Sequence, residues 1–235
     1  MKILAIDTSA GAGSVAISNN KKIIGEYFIN TSLTHSRTLM PMVENLCINT
    51  STDISEIEAI AVNAGPGSFT GVRIGVAAAK GLAFQKDLPC ISVSTLESMA
   101  YNLIFADCII CSVMDARCQQ VYNANFKSDG ETITRLCEDR ALSIKELTEE
   151  LKQYNEKVML VGDGAELCYN SMKEELSNIH LAPENLRFQK ASSTALIAFE
   201  KYNNNETLTS AELMPVYLRL PQAQRELKKK MEEKK

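Results

Sequence analysis

The chain has 235 residues, 45% of them hydrophobic, enough to fill one large core or two smaller ones. Its formal net charge of −4 argues against a protein that grips nucleic acid unaided, since such proteins carry a basic surplus. No Trp is present and aromatics make up only 6%, so the cores must be built from aliphatic side chains and Met.

The opening MKILAID reads as a buried strand ended by Asp7 rather than as a signal peptide, because its apolar run is short. No run reaches the roughly 18 apolar residues of a membrane span. A turn at AGAG leads to SVAIS and then to KKIIGEYFIN, both strands. THSRTLMPMVENLCI is helical, with Leu39, Met42, Val43 and Leu46 forming an apolar stripe that suits either a core or an interface. EIEAIAVNAG is a strand, and Phe69 to Phe84 a helix with Ser68 as its N-cap. CISVSTLESMAYNLIFA adds a strand and a helix, the latter opened by the Ser94/Glu97 capping box.

The same order then returns. CIICSVMDAR is an apolar strand ended by Asp115, followed by QQVYNANF and TITRLCEDRAL as strands. SIKELTEELKQY is a helix with a Ser143/Glu146 capping box, KVMLVGDG is a strand, and AELCYNSMKEEL is a helix. Both halves run strand, strand, strand, helix, strand, helix, and a repeat of that length signals a duplicated architecture. SSTALIAFEKY is a further helix, ELMPVYLR is extended, and RELKKKMEEKK reads as a frayed, solvated end. The division expected is a first lobe over 1–105, a second over 106–203, and an extended segment with a charged tail over 204–235. Seven cysteines, an odd number at irregular spacing, fit reduced thiols of the cytoplasm. Cys108 and Cys111 form a C-x-x-C within a strand, where residues three apart point to opposite faces, so they read as core cysteines.

The stretch NAGPGSFTGVRIGVAAAKGLAF admits three readings. A phosphate-binding P-loop needs Lys and a hydroxyl after its last glycine, and here Gly71 is followed by Val72 and Arg73. A dinucleotide fingerprint needs G-x-G-x-x-G, and this spacing is one residue too long, although Asp87 does lie about 20 residues on. The third reading concerns the helix. Gly75 and Gly81 together give up about 2 kcal/mol of helix propensity, a loss tolerated where another backbone comes close. That backbone is either the lobe's own sheet or a helix of another chain, and the small residues alone do not separate the two.

AIDTS, THSRTLMPMV, NAGPGSFTGVRIGVAAAKGLA, VSTLESMA, MDARCQQVY, VGDG and PVYLR, in that order, resemble the bacterial TsaB (YeaZ) family from Lys2 to about Arg219. The resemblance implies an α/β fold, the duplicated actin-like ATPase (sugar kinase/Hsp70/actin) architecture, with two lobes facing across a cleft. It implies a non-catalytic dimerisation subunit in the synthesis of N6-threonylcarbamoyladenosine at position 37 of tRNAs reading codons that begin with A. The partners implied are a TsaD-like catalytic subunit and a TsaE-like ATPase, with tRNA reached through the complex and a homodimer formed when the partner is absent. Pairing through the two helices of the first lobe makes His35, Leu39, Met42, Val43 and Leu46 on one, and Phe69, Val72, Arg73, Gly75, Val76, Ala79 and Leu82 on the other, the expected contacts.

The catalytic sister of this family binds metal through two histidines four apart on a helix. Here that place reads His35-Ser-Arg-Thr-Leu39, and the other histidine is His180, so no metal and no catalytic residue is assigned. Asp7, Thr8, Asp115, Gly162 and Gly164 mark a degenerate nucleotide cleft. The resemblance carries no intrinsic cofactor, and any ATP or ADP is expected to be held weakly, in the cleft or at the subunit interface. The alternative is an autonomous ATP-dependent kinase or hydrolase of the same fold, resting on Asp7 and Asp115.

Overall fold

A computed structural model describes residues 1–219, so the charged end RELKKKMEEKK lies outside the described residues. In the first lobe, β1 (Lys2–Asp7), β2 (Ala12–Asn19) and β3 (Lys22–Asn30) form an antiparallel meander. On its other side β1 pairs in parallel with β4 (Ala59–Gly65), and β4 with β5 (Cys90–Ser94), giving the order β3-β2-β1-β4-β5. The central strands are covered on both faces, which is why KILAID and AIAVNAG read as continuous apolar runs.

The second lobe repeats the plan. β6 (Asp107–Asp115) and β7 (Gln120–Asp129) are antiparallel, and β8 (Ile133–Arg135) and β9 (Arg140–Ser143) both pair with β7. β10 (Val158–Val161) and β11 (Ile179–Leu181) continue from β6 in parallel, for the order β11-β10-β6-β7-β8. The third strand expected over TITRLCEDRAL is thus two short ones. Cys108 and Cys111 on β6 fall in two different hydrophobic cores, as alternation along a strand requires.

Helices α1 (His35–Asn49) and α2 (Phe69–Phe84) cover one face of the first sheet, and α4 (Ile144–Leu151) and α5 (Ala165–Met172) one face of the second. The packing of the remaining helices departs from the division at residues 105 and 203. α3 (Thr95–Tyr101), inside the stretch assigned to the first lobe, buries Leu96 and Met99 with Ile110 and Phe126 of the second. The short α6 (Glu184–Arg187) precedes α7 (Ala191–Asn203), which lies inside the stretch assigned to the second lobe. α7 packs Ala191, Ala195 and Ala198 on Ile3, Ala5, Ala59 and Ile91 of the first lobe. The two lobes therefore exchange a helix, and α3 meets α7 through a 2.9 Å hydrogen bond between the Ser98 and Thr194 hydroxyls. The segment after α7 also belongs to the first lobe, anchored by the wholly buried Leu213.

Gly71 and Gly75 of α2 face inward. A Cβ on Gly75 would lie 2.5 Å from the Thr8 hydroxyl oxygen and 3.4 Å from Val62, while one on Gly71 would overlap the Thr8 carbonyl. The close-approaching chain is the lobe's own, at Thr8 just after β1. Gly81, by contrast, has open space where its Cβ would be. Gly75→Ala should therefore cost about 1–3 kcal/mol by overpacking, whereas Gly81→Ala should be neutral or gain up to about 1 kcal/mol of helix propensity. Urea unfolding of the two variants beside wild type checks this contrast, and equal effects would contradict it.

Candidate functional site

β1 and β6, equivalent strands of the duplication, end beside one interlobe cleft of about 490 Å³. Its walls are the first hairpin turn (Ser9, Ala10, Gly11), the loop and first turn entering α2 (Gly67 to Thr70), and the second hairpin (Met114 to Arg117). Tyr122, Asp163, Tyr217 and Arg219 complete it.

Asp7 does not reach this cleft. It is wholly buried, accepting hydrogen bonds from the Ser9 amide (2.7 Å) and hydroxyl (2.8 Å) on one oxygen and from the Asn63 carboxamide on the other. Burial pushes its carboxyl above the ordinary aspartate value, although these hydrogen bonds pull the other way. Asn63 in turn accepts from Thr194 of α7 at 3.1 Å, so Asp7 ties the hairpin turn, β4 and α7 together. Thr8 is buried too, and its hydroxyl donates to the Gly71 carbonyl at 2.7 Å. Gly162 is a packing position: at φ +113 its amide donates to the Arg187 carbonyl at 2.7 Å, and a Cβ would overlap the Val113 carbonyl. Gly164 caps α5, and a Cβ there would lie 2.9 Å from the Asp115 nitrogen.

Of the five expected cleft residues, Asp115 alone lines the wall. Asp163, between the two glycines of VGDG, lines it as well and escaped the sequence reading, which took that motif for its glycines. The cleft walls crowd Asp163 while one edge stays open to solvent. That burial, with the charges of Asp115 and Asp7 adding to it, pushes its carboxyl up to about 6.

The second hairpin turn has no glycine, yet Arg117, Cys118 and Gln119 adopt φ of +67, +55 and +57. Such a run in the left-handed region costs on the order of 1 kcal/mol per residue. The Asp115 carboxylate accepts the Arg117 amide at 2.7 Å and supports the turn. These residues fit a nucleotide phosphate poorly. The first hairpin's carboxylate is already bonded on both oxygens, and the second hairpin carries side chains where close backbone approach calls for glycine. Among the described residues, no group of three His, Cys, Asp or Glu side chains is placed to hold a metal ion, and no helix is long and apolar enough to cross a membrane.

The helix pair needs correction at seven positions. Leu39, Val43, Leu46, Val72, Gly75, Val76 and Ala79 are buried inside the first lobe, against its own sheet. Met42 and Leu82 are half-buried against the same core. The His35 ring donates from Nε2 to the Ala10 carbonyl at 2.7 Å, over the first hairpin turn. The Arg73 guanidinium stacks on Phe69 at 3.8 Å and donates from Nε to the Tyr217 hydroxyl at 2.7 Å. The Tyr217 ring sits 4.9 Å from that of Phe69. What faces outward is a different set: Met40, Glu44 and Ile48 on α1, and Ala77, Gly81 and Phe84 on α2. Ile48 is 65% and Phe84 79% exposed. A shallow groove of about 630 Å³, lined by Met40, Ile48, Ile54 and Leu82 among others, runs beside them.

A family model described as TsaD: tRNA N6-adenosine threonylcarbamoyltransferase matches residues 23–228. The tRNA threonylcarbamoyladenosine biosynthesis protein TsaB of Escherichia coli (strain K12) is 33% identical over 222 residues, 93% of this chain and 95% of the relative. Among solved structures, YeaZ from Pseudomonas aeruginosa has a TM-score of 0.78 at 26% identity, covering 92% of this chain and 99% of that one. The activator of the 2-hydroxyisocaproyl-CoA dehydratase from Clostridium difficile, with bound ADPNP, has a TM-score of 0.51 at 14% identity, over 88% and 97% of the two chains. That last likeness concerns the fold alone. The architecture is the duplicated actin-like ATPase fold expected from the sequence.

The Asp163 carboxyl gives a pH test of the cleft. Its folded value lies above the ordinary 3.8, so the favourable contribution of the protonated form is full below pH 3.8 and lost as pH rises through about 6. Asp163→Asn should therefore match wild type near pH 4 and unfold at a higher temperature at pH 7.5. Solvent at its open edge holds the gain below about 1 kcal/mol. A stability difference independent of pH, read by calorimetry across this range, would contradict the assignment.

Proposed function

The chain belongs to the TsaB family of tRNA threonylcarbamoyladenosine biosynthesis proteins, and from that premise we propose that it is the non-catalytic dimerisation subunit of the modifying complex. In this reading it works in the cytoplasm and binds and activates a TsaD-like subunit, which transfers the threonylcarbamoyl group to adenosine 37 of tRNAs reading codons that begin with A. A TsaE-like ATPase completes the assembly, tRNA is engaged through the complex, and the same face pairs two copies of the chain when the partner is absent.

The observation that carries this is the outward face of α1 and α2. Large apolar side chains at Met40, Ile48 and Phe84 stand in water beside the small residues Ala77 and Gly81, which let another helix lie close. A two-helix contact from each chain is of the size that buries about 800 Å² per partner. Support for a non-catalytic role comes from the other side of the same helices. The position four after His35 is Leu39, turned into the core, and His35 itself is bonded to a backbone carbonyl. The engagement of Asp7 by Ser9 and Asn63 counts against autonomous ATP turnover in the cleft, and hence against the kinase or hydrolase alternative.

Ile48→Glu combined with Phe84→Glu should leave the fold intact, both sites being solvent-facing, and weaken the one-to-one complex with the TsaD-like subunit at least about 30-fold. Light-scattering chromatography and titration calorimetry read this. Unchanged affinity would remove the helix face from the account. The purified chain alone should neither hydrolyse ATP nor modify tRNA, and modification without a partner would overturn the scaffold role.

A further inference from the structure

The segment after α7 runs along the first lobe before it reaches across to the second. Leu208 pairs with Cys90 on β5, Leu213 is wholly buried in the first lobe, and the Lys80 ammonium donates to the Ala211 and Leu213 carbonyls at 3.2 and 3.1 Å. The Val216 amide then donates to the Ala64 carbonyl at 2.7 Å, and the Val216 carbonyl occupies the space a Cβ on Gly65 would fill. Tyr217 sits on Phe69 and accepts from Arg73, at the start of α2. Two residues later the direction changes lobe: Arg219 donates from Nη1 to the Ala116 carbonyl of the second hairpin at 2.8 Å. Tyr217 and Arg219 both line the cleft.

We propose that residues 213–219 are a latch, which holds the interlobe cleft closed through Arg219 and Ala116 and lets go when Arg73 is taken from Tyr217. Three observations carry it. The strap is fixed to the first lobe by a core residue and main-chain bonds, so the Arg219 contact with the second lobe is a tether between the two. The carbonyl it holds precedes three successive non-glycine residues in the left-handed region, so the tether is fastened at the base of a turn under strain. The last polar contact it makes with the first lobe before Arg219 crosses over is a hydrogen bond from a guanidinium to a neutral hydroxyl, and Arg73 is exposed. A carboxylate brought to Arg73 by a docked chain makes the stronger, charge-assisted bond and displaces Tyr217. The opposite edge of the lobe pair, where α3 crosses α7, stays packed and serves as the hinge. The coupling to docking rests on the reading of the α1/α2 face given above; the latch itself does not.

The test is the distance between nitroxide labels on Thr70→Cys and the native, exposed Cys118, measured by double electron–electron resonance with Cys47 and Cys137 changed to Ala. Thr70 lines the cleft on the first lobe, and the exposed Cys118 follows the cleft-lining Arg117 on the second. Wild type should give one narrow distribution, and Arg219→Ala and Tyr217→Ala should each broaden it and lengthen its mean by roughly 5 Å, a modest hinge motion. Tyr217→Phe, which keeps the ring on Phe69 but loses the hydroxyl, should fall between. Distributions unchanged in Arg219→Ala and Tyr217→Ala would overturn the latch. Adding the TsaD-like subunit should shift wild type towards the Arg219→Ala distribution and leave that variant where it is. Binding seen by light scattering with no shift in wild type would overturn the coupling and leave the docking reading standing. No binding at all would overturn the docking reading and the coupling with it, and the latch would then be judged by the variants of the isolated chain.

Discussion

Helix α2 lies so close to the end of β1 that no side chain fits between them, and most of the first lobe is arranged around that contact. Gly67, Gly71 and Gly75 stand where a Cβ would run into the Ser9 carbonyl, the Thr8 carbonyl and the Thr8 hydroxyl. The Thr8 hydroxyl closes the contact by donating to the Gly71 carbonyl, and the Ser68 amide closes it again by donating to the Ser9 carbonyl at 2.7 Å. A phosphate-binding turn would keep such amides for a ligand. Here they are used by the neighbouring hairpin, and the aspartate that ends β1 is enclosed in the same knot.

That knot separates the two faces of the helix pair. The inward face of α1 and α2, with Leu39, Val43, Leu46, Val72 and Val76, builds the lobe. The outward face, with Met40, Ile48 and Phe84, has no partner among the described residues. The lobes are joined by the exchange of α3 and α7, and a chain of buried hydrogen bonds runs from Asp7 through Asn63 and Thr194 to Ser98. Each link satisfies a polar group that would otherwise be costly to bury. The cleft on the other side is bridged by Arg219, which reaches from the strap to Ala116.

Much of this was legible in the sequence because it is local. The apolar strands ended by Asp7 and Asp115, the capping residues Ser68, Ser94 and Ser143, and the duplicated order of elements follow from periodicity and turn chemistry. The direction of the glycine face was not legible. A stripe at helical spacing is the same whether it meets its own sheet or another chain, so the sequence leaves Leu39 and Val43 open to either, and the fold turns both to the sheet. The outward set is marked more by what stands out of place: Ile48 and Phe84 are large apolar residues at positions the core stripe does not use. The placement of α7 on the first sheet and the seat of Tyr217 on Arg73, 144 residues away, depend on long-range packing that no window of sequence contains. Asp163 was within reach, since it stands in the turn that follows β10, the strand next to the one that carries Asp115 into the cleft.

In the proposed function one face of the helix pair builds the lobe and the other receives the TsaD-like partner. Hydroxyl-radical footprinting of the chain alone, at a concentration where it is monomeric, and in the presence of the TsaD-like subunit reads side-chain exposure at both surfaces. Met40 and Phe84 should be oxidised readily in the free chain and protected in the mixture, while Tyr122 in the cleft gains no protection. Met40 and Phe84 remaining as reactive as before, with protection appearing at Tyr122 instead, would contradict the account and move the partner to the cleft.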